Sequence, residues 1–170
     1  MITPIGEIGI IVKHGMLVEL EYGEKEEVRE EILNQVQDDA PAKVEAQLRE
    51  YFGGKRKTFE LEYEFLGGTE FQQMVWEEIG KIPYGETVSY TELARRVGRP
   101  KAVRAVANAC GKNPLPIVIP CHRVVGSPSA SLRVNSLSMN FGGYSGGLWR
   151  KKWLLEHEEV DVLVKKSGVR

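Results

Sequence analysis

The sequence is poor in the features that mark secreted, membrane-spanning and metal-binding proteins. Its 170 residues contain two cysteines, Cys110 and Cys121, which allow at most one disulfide and fall short of a secreted disulfide framework. No apolar run approaches the roughly 20 residues that cross a bilayer, and the start of the chain lacks the basic and long apolar regions of a signal peptide. We therefore expect a cytoplasmic protein without a membrane partner.

Ligands for a structural metal are also scarce. The three histidines, His14, His122 and His157, are scattered, and together with two thiols they show none of the paired spacing of a four-ligand zinc site. We expect no metal and no cofactor. What is present, 42% hydrophobic and 28% charged residues, is typical of a globular protein that buries a core.

Charge is distributed unevenly along the chain. Residues 1–66 hold 8 Lys+Arg against 15 Asp+Glu, whereas residues 67–170 hold 15 against 9. The sign changes at Gly67-Gly68, where we place a boundary between two small domains. A basic half favours a polyanionic partner, and a chance distribution of solvated charge is the equal alternative.

Patterns in residues 1–66 predict a small α/β domain. Two apolar runs flank Lys13-His14-Gly15, where a glycine supplies the positive φ of a β-hairpin turn. A helical face then ends at Gly53-Gly54 and consists of Val44, Leu48, Tyr51 and Phe52. Residues 57–65 alternate as a strand, so a short sheet and one helix are expected.

Residues 67–170 predict a mostly helical domain with a helix-turn-helix. Ser89 stands at capping-box spacing from Glu92, and Gly98 ends that short helix. Arg99-Pro100 then begins a second helix, with proline in its first turn and Gly111 at its end. Two short helices joined by a tight glycine turn are the helix-turn-helix pattern.

The second of these helices combines small residues with flanking cations. The small residues are Ala102, Val103, Ala105, Val106, Ala107 and Ala109, and the cations are Arg95, Arg96, Arg99, Lys101, Arg104 and Lys112. A thin helix among cations can approach a nucleic-acid backbone closely. An alanine-rich helix packed inside a bundle is the alternative, although Arg104 would then be hard to bury.

Cys121 and His122 are adjacent and follow Pro120. A nucleophilic cysteine reacts as the thiolate, which a histidine can generate if a carboxylate orients its other nitrogen. Neighbours on an extended strand face opposite sides, so direct contact requires a bend, which the proline makes credible. A predicted helix ending at residues 156–158 offers carboxylates, but the dipeptide alone favours a buried, structural cysteine.

The wider context resembles a known family. Residues 120–124, "PCHRV", resemble the active-site motif of the O6-alkylguanine-DNA alkyltransferases, also called methylated-DNA–protein-cysteine methyltransferases. The stretches 71–94, 99–126 and 143–158 are similar, in order, to that family's C-terminal domain. The resemblance implies an α+β fold, with a ribonuclease H-like N-terminal domain followed by a winged helix-turn-helix-like domain.

The resemblance also implies an activity. A single-use enzyme binds duplex DNA through the minor groove, flips out O6-alkylguanine, and moves the alkyl group irreversibly onto its own cysteine. O4-alkylthymine is a further substrate that the family suggests. A protein consumed by each event gains nothing from oligomerisation for turnover, so we expect a monomer.

The family's functional residues map onto this sequence one by one. By similarity Cys121 is the acceptor, His122 is its base through a bridging water, and Glu158 orients that histidine. Asn113 braces the active-site strand, and Tyr90 rotates the phosphate and hydrogen-bonds the flipped base.

On the DNA side, Arg104 fills the vacated stack by similarity. The main chain of Cys121, Val124 and Ser145 is implied to read the guanine edge. Further expected contacts to DNA or to the flipped base come from Ser89, Arg99, Lys101, Ala102, Val103, Ala105 and Tyr144.

One segment of the chain departs from the family's pattern. Residues 126–143 form a connection roughly ten residues longer than the family's, and it borders the base pocket.

Three alternative functions are also considered. A DNA-binding relative without repair activity would lack Cys121, a helix-turn-helix regulator would leave the "PCHR" motif without a purpose, and a cysteine hydrolase would need an oxyanion hole.

Overall fold

The structure, a computed structural model, describes residues 1–23, 39–126 and 143–160. Most of the long connection at 126–143 lies outside these ranges. The elements in chain order are β1 (Ile2–Thr3), β2 (Gly6–Lys13), β3 (Met16–Tyr22), α1 (Ala40–Phe52), α2 (Glu70–Gly80), β4 (Val88–Ser89), α3 (Tyr90–Arg96), α4 (Val103–Gly111), a one-turn 3₁₀ helix (Cys121–Arg123), β5 (Val124–Val125) and α5 (Leu148–His157).

The predicted hairpin is confirmed. Strands β1, β2 and β3 form an antiparallel sheet in that order, and Lys13 pairs with Met16 across the turn. The two turn residues, His14 and Gly15, have φ values of 51° and 79°. Positive φ at both positions matches the right-handed twist of the flanking strands, which is why a glycine stands there.

Helix α1 is confirmed, but the strand predicted at residues 57–65 is wrong. The helix buries Val44, Gln47, Leu48 and Tyr51. Residues 57–65 make only an isolated bridge, between Tyr63 and Leu17. The Gln47 amide bonds both backbone groups of Glu60, at 3.0 and 2.8 Å. The Gln47 side chain on α1 therefore bonds the backbone of Glu60 in the way that a neighbouring strand would.

In the second half, caps define the helix starts. Thr69 and Gln72 form a complete capping box on α2, and the Ser89 hydroxyl accepts from the Glu92 backbone at the start of α3. Helix α4 starts later than predicted. The backbone of Ala102 donates to Arg99 at 2.8 Å, so residues 99–102 form a turn whose second position suits proline.

The core is continuous between the two halves. Their buried apolar side chains belong to one cluster. The Leu20 backbone on β3 donates to the Pro114 carbonyl at 2.8 Å, just before the active-site segment. The division into residues 1–66 and 67–170 stays a prediction. Across the described ranges, no helix is long and apolar enough to span a membrane.

Candidate active site

The cysteine and histidine of the "PCHR" motif lie in a bend. Cys121–Arg123 form one 3₁₀ turn, and β5 follows directly and pairs in parallel with β4. Cys121 is 3% exposed and His122 is fully buried. Both cysteines are free thiols. The bend that the proline suggested is therefore present, and it turns the two side chains toward different surroundings.

Asn113 holds the sulfur from one side. Its Nδ2 donates to the Ile119 carbonyl at 2.7 Å and to Cys121 Sγ at 3.2 Å, while its Oδ1 accepts from the Leu115 backbone at 3.0 Å. Ile117, between them, has a φ of 76°, which a β-branched residue rarely adopts. The amide therefore closes a tight connection and presents an N–H to the thiol.

Glu158 receives hydrogen bonds from several parts of the chain. It follows the last residue of α5 and is 1% exposed. The donors are His122 Nε2 at 2.8 Å, Arg123 Nε and Nη2 at 2.8 and 2.9 Å, the Tyr51 hydroxyl at 2.6 Å, and the Gly85 backbone at 3.2 Å. The expected pairing of His122 with Glu158 is thus present in the structure.

These contacts decide the charge states of the pair. Burial alone would raise the pKa of Glu158, but hydrogen bonds and charge from His122 and Arg123 hold that pKa well below its ordinary value. Burial lowers the pKa of His122, against the opposing effect of Glu158. The carboxylate is ionised and the imidazole is neutral near pH 7, so His122 can accept a proton.

A buried lysine adds positive charge near the thiol. Burial raises the pKa of Cys121, while the Asn113 hydrogen bond and the charge of Lys151 lower it. Lys151 is fully buried, and its Nζ donates to the Val124 carbonyl at 2.6 Å. Burial brings the pKa of Lys151 to about 8, which leaves most of the side chain charged at neutral pH.

Sequence reasoning missed Lys151 and the hydroxyl of Tyr51. Lys151 stands between two other basic residues, where a solvated face is the usual interpretation. Its spacing from Leu154, Leu155 and Glu158 is that of one helical face, and this was the available signal. Tyr51 was placed on the core face of α1 correctly, but nothing local indicates the partner of its hydroxyl.

Tyr90, Tyr144 and Ser145 come together around a cavity of about 670 Å³. Small residues of α4, Ala105 and Ala107, line the same cavity. Tyr90 begins α3 and is 9% exposed, and its hydroxyl lies 3.4 Å from the Gly143 carbonyl. Burial raises the pKa of Tyr90, so the phenol remains a proton donor. The aromatic residues predicted to surround a flipped base are therefore neighbours.

Helix α4 has two different faces. Val106, Ala109 and Cys110 are buried, whereas Arg104 and Ala105 are exposed. The helix thus packs on the core by one face and leaves the other exposed, and contact of the exposed face with DNA stays a prediction. Other predicted DNA contacts are mixed: Arg99 and Lys101 are exposed, Ser89, Ala102 and Val103 are partly buried, and Val124 is buried.

Donor sets for a metal are not found in the described part of the chain. No group of three or more His, Cys, Asp or Glu residues lies close enough there to hold an ion. His122 and Glu158, the two groups that do meet, are occupied with each other and with Arg123.

Two family models match the chain. The model described as "6-O-methylguanine DNA methyltransferase, ribonuclease-like domain" matches residues 1–65, and the "DNA binding domain" of the same description matches residues 70–160.

Curated relatives match over almost the whole chain. The constitutive methylated-DNA–protein-cysteine methyltransferase of Bacillus subtilis is 46% identical over 168 residues, covering 96% of this chain and 95% of its own. The methylated-DNA–protein-cysteine methyltransferase of Mycobacterium leprae is 41% identical over 164 residues, covering 96% and 92%.

Solved structures are also similar to this chain over most of its length. The O6-methylguanine methyltransferase of Mycobacterium tuberculosis is 38% identical with a TM-score of 0.74, covering 94% of this chain and 90% of its own. A crystal structure of OGT from the same organism in complex with DNA is 36% identical, with the same TM-score and coverage.

Proposed function

Because the chain belongs to the 6-O-methylguanine DNA methyltransferase family and repairs alkylated DNA by direct reversal, we propose that Cys121 is the residue that accepts the alkyl group. One observation carries this assignment. The Cys121 sulfur accepts from the Asn113 amide at 3.2 Å, and the next residue, His122, is bonded to an ionised Glu158. The thiol thus has an N–H donor, and the residue beside it has the carboxylate partner that a general base requires.

The proton of the thiol goes to His122. Its Nε2–H donates to Glu158, so Nδ1 is the nitrogen that accepts the proton, through a bridging water as the family implies. Glu158 stabilises the imidazolium that results. The charge of buried Lys151 and the Asn113 N–H stabilise the thiolate in the same step.

The alkyl transfer is a single displacement. The Cys121 thiolate attacks the alkyl carbon of O6-alkylguanine, the S–C bond forms, and the C–O bond breaks with its electron pair on the guanine. The Tyr90 phenol stays protonated and donates a hydrogen bond to the departing guanine. The product is a thioether with no leaving group to restore the thiol, so each molecule acts once.

The substrate reaches this site by base flipping. The exposed face of α4 carries Arg104 beside small residues, which suits a minor-groove contact in which the guanidinium fills the gap in the stack. The cations Arg99 and Lys101, just before that helix, contact phosphates. We place the protein in the cytoplasm as a monomer, with O4-alkylthymine as a second substrate.

The decisive experiment measures the mass of the protein after incubation with a duplex that carries O6-methylguanine. We expect one added methylene on the peptide containing Cys121, at no more than one equivalent. Cys121→Ala should remain unmodified, and Cys110→Ser should react as the wild type does.

Two results would overturn the assignment: several turnovers per molecule, or modification confined to Cys110. A helix-turn-helix regulator would instead bind one unmodified sequence in preference to others, which competition with undamaged DNA detects.

A further inference from the structure

A tyrosine from the N-terminal sheet reaches the wall of the cavity beside Tyr90, which is the base pocket under the proposed function. Tyr22 is the last residue of β3, and its hydroxyl lies 2.7 Å from the hydroxyl of Tyr144. The two ring centroids are 6.1 Å apart, with planes tilted by 53°. Tyr144 itself lines the cavity that also holds Tyr90 and Ser145. The pocket wall is thus bonded to an element more than one hundred residues away in sequence.

The contact is tight as well as bonded. A Cβ atom added at Gly146 would stand 2.5 Å from Tyr22 Cε2 and 2.9 Å from Tyr144 Cε1. Separations below 3 Å do not occur between such atoms in real proteins, so only glycine fits between the rings. The short segment after Tyr144 is therefore packed directly against Tyr22.

Arg150 fixes Tyr22 in this position. Its guanidinium lies 4.9 Å from the centroid of the Tyr22 ring. Its Nε donates to the Ile5 carbonyl at 2.7 Å, and its Nη1 donates to the Gly146 carbonyl at 2.6 Å. One side chain of α5 therefore holds the N-terminal sheet and the pocket segment together. A ring restrained by stacking and by a hydrogen bond has little freedom to move.

Both phenols remain neutral, which preserves their hydrogen bond. Burial raises the pKa of Tyr22, and burial together with the charge of Cys121 raises the pKa of Tyr144.

We propose that Tyr22 is a positioning residue that fixes the Tyr144 ring against the base pocket and thereby limits the size of the alkyl group that the pocket accepts. The inference rests on the proposed function of Cys121. With the hydroxyl bond in place, Tyr144 is held at one distance from the pocket, and a methyl group is favoured over bulky ones. Without the bond, the Tyr144 ring is no longer held at that distance, and the preference of the pocket for a methyl group falls.

The test compares single-turnover rates on two duplexes, one with O6-methylguanine and one with O6-benzylguanine. For Tyr22→Phe, which keeps the ring and loses the hydroxyl, we expect the benzyl-to-methyl rate ratio to rise at least about fivefold, the scale of one hydrogen bond. Tyr22→Leu should raise the ratio further. Tyr63→Phe is the matched control, because that ring is 39% exposed and packs on Phe65, and its ratio should stay at the wild-type value.

The outcomes separate the two proposals. If the wild type does not alkylate Cys121, the proposed function fails. If the wild type reacts with both duplexes but Tyr22→Phe leaves the ratio unchanged, only the role of Tyr22 fails, even when both rates fall together. Since Tyr22→Phe keeps the packing of the ring, its result decides the question whether or not Tyr22→Leu folds.

Discussion

At the scale of single residues, the ionised state of Glu158 is a collective property. A buried carboxyl with no partners would be protonated at neutral pH. Here Tyr51 donates from α1, Gly85 from the connection after α2, and His122 and Arg123 from the active-site turn. The carboxylate that orients the base is therefore maintained by both halves of the chain.

We expect Glu158→Gln to lower the free energy of unfolding at pH 7 by about 3–5 kcal/mol, because it leaves buried Arg123 without its counter-charge. The pKa of Glu158 is below its ordinary value in the folded protein. Its contribution is then fully present above about pH 4.3, the ordinary value for glutamate, and is lost as the pH falls toward the folded pKa. Urea unfolding at several pH values measures this difference between variant and wild type.

The matched control is Glu156→Gln, two residues earlier on the same helix. The Glu156 side chain is 56% exposed and lies 3.7 Å from Lys152, so its loss should cost less than about 1 kcal/mol. The low pKa of His122 destabilises the wild type and Glu156→Gln equally below about pH 6.5, because both keep the hydrogen bond between His122 and Glu158. A Glu158→Gln difference that stays constant down to pH 3 would show that the pKa of Glu158 is not lowered in the folded state.

The residues of the site differ in how far sequence foretells them. Cys121, His122 and Glu158 follow from the motif and its resemblance, and the structure places the last two in contact. Tyr51 does not follow, because its hydroxyl meets Glu158 across 107 positions and no local pattern encodes such a distance. Lys151 is hidden among other cations, and only the phase of the helix reveals that it points inward.

At the scale of elements, α4 joins two requirements that usually conflict. A helix must bury an apolar face to be stable, and a minor-groove helix must present a narrow surface to DNA. Val106 and Ala109 serve the first requirement, and Ala105 and Ala107 are exposed, as the proposed contact with DNA requires. Small residues on both faces let the helix sit shallowly on the core, with Arg104 exposed.

For Arg104→Ala we expect transfer from an O6-methylguanine duplex to slow by about 10- to 100-fold. No side chain then fills the gap that the flipped base leaves in the stack, and unstacking costs a few kcal/mol. Transfer from free O6-benzylguanine, which needs no flipping, should keep the wild-type rate. Lys101→Ala serves as the comparison, and should weaken binding to every duplex and reduce the salt slope by about one. Equal slowing on duplex and free base would contradict the role of Arg104.

A helix or turn is predicted correctly from the sequence where one local signal dominates. The hairpin turn and the start of α3 have explicit glycine or capping chemistry. The strand at 57–65 failed because Gln47 bonds the backbone of Glu60 in place of a strand. The start of α4 was misplaced because proline suits a turn as well as a first helical turn.

At the scale of the whole molecule, the two halves share the site. Residues 67–170 carry the thiol, the base and the cations, whereas residues 1–66 supply Tyr51 to Glu158 and Tyr22 to Tyr144. The acidic half thus supplies two hydroxyl groups to side chains of the proposed site. The sequence indicated the difference in charge, but the dependence of one half on the other appears only in the fold.

Alkylation of Cys121 should lower the stability of the whole protein. A thioether cannot ionise to the thiolate, which is the stronger acceptor, and the added carbon must fit beside an Asn113 amide that is 3.2 Å from the sulfur. We expect a loss of about 1 kcal/mol, which for a chain of this size lowers the melting temperature by about 2–4 °C. Calorimetry before and after stoichiometric reaction with the methylated duplex measures it, and an unchanged or higher melting temperature would contradict it.

The near-complete burial of Cys121, 3% exposed, has a further consequence. The mark left by repair stays inside the fold, where solvent thiols and hydrolysis have little access to it. Each molecule therefore stays alkylated after one transfer. The number of alkylated molecules in a cell then equals the number of lesions that this protein has removed since those molecules were synthesised. The proportion of molecules with altered melting would report the history of DNA damage.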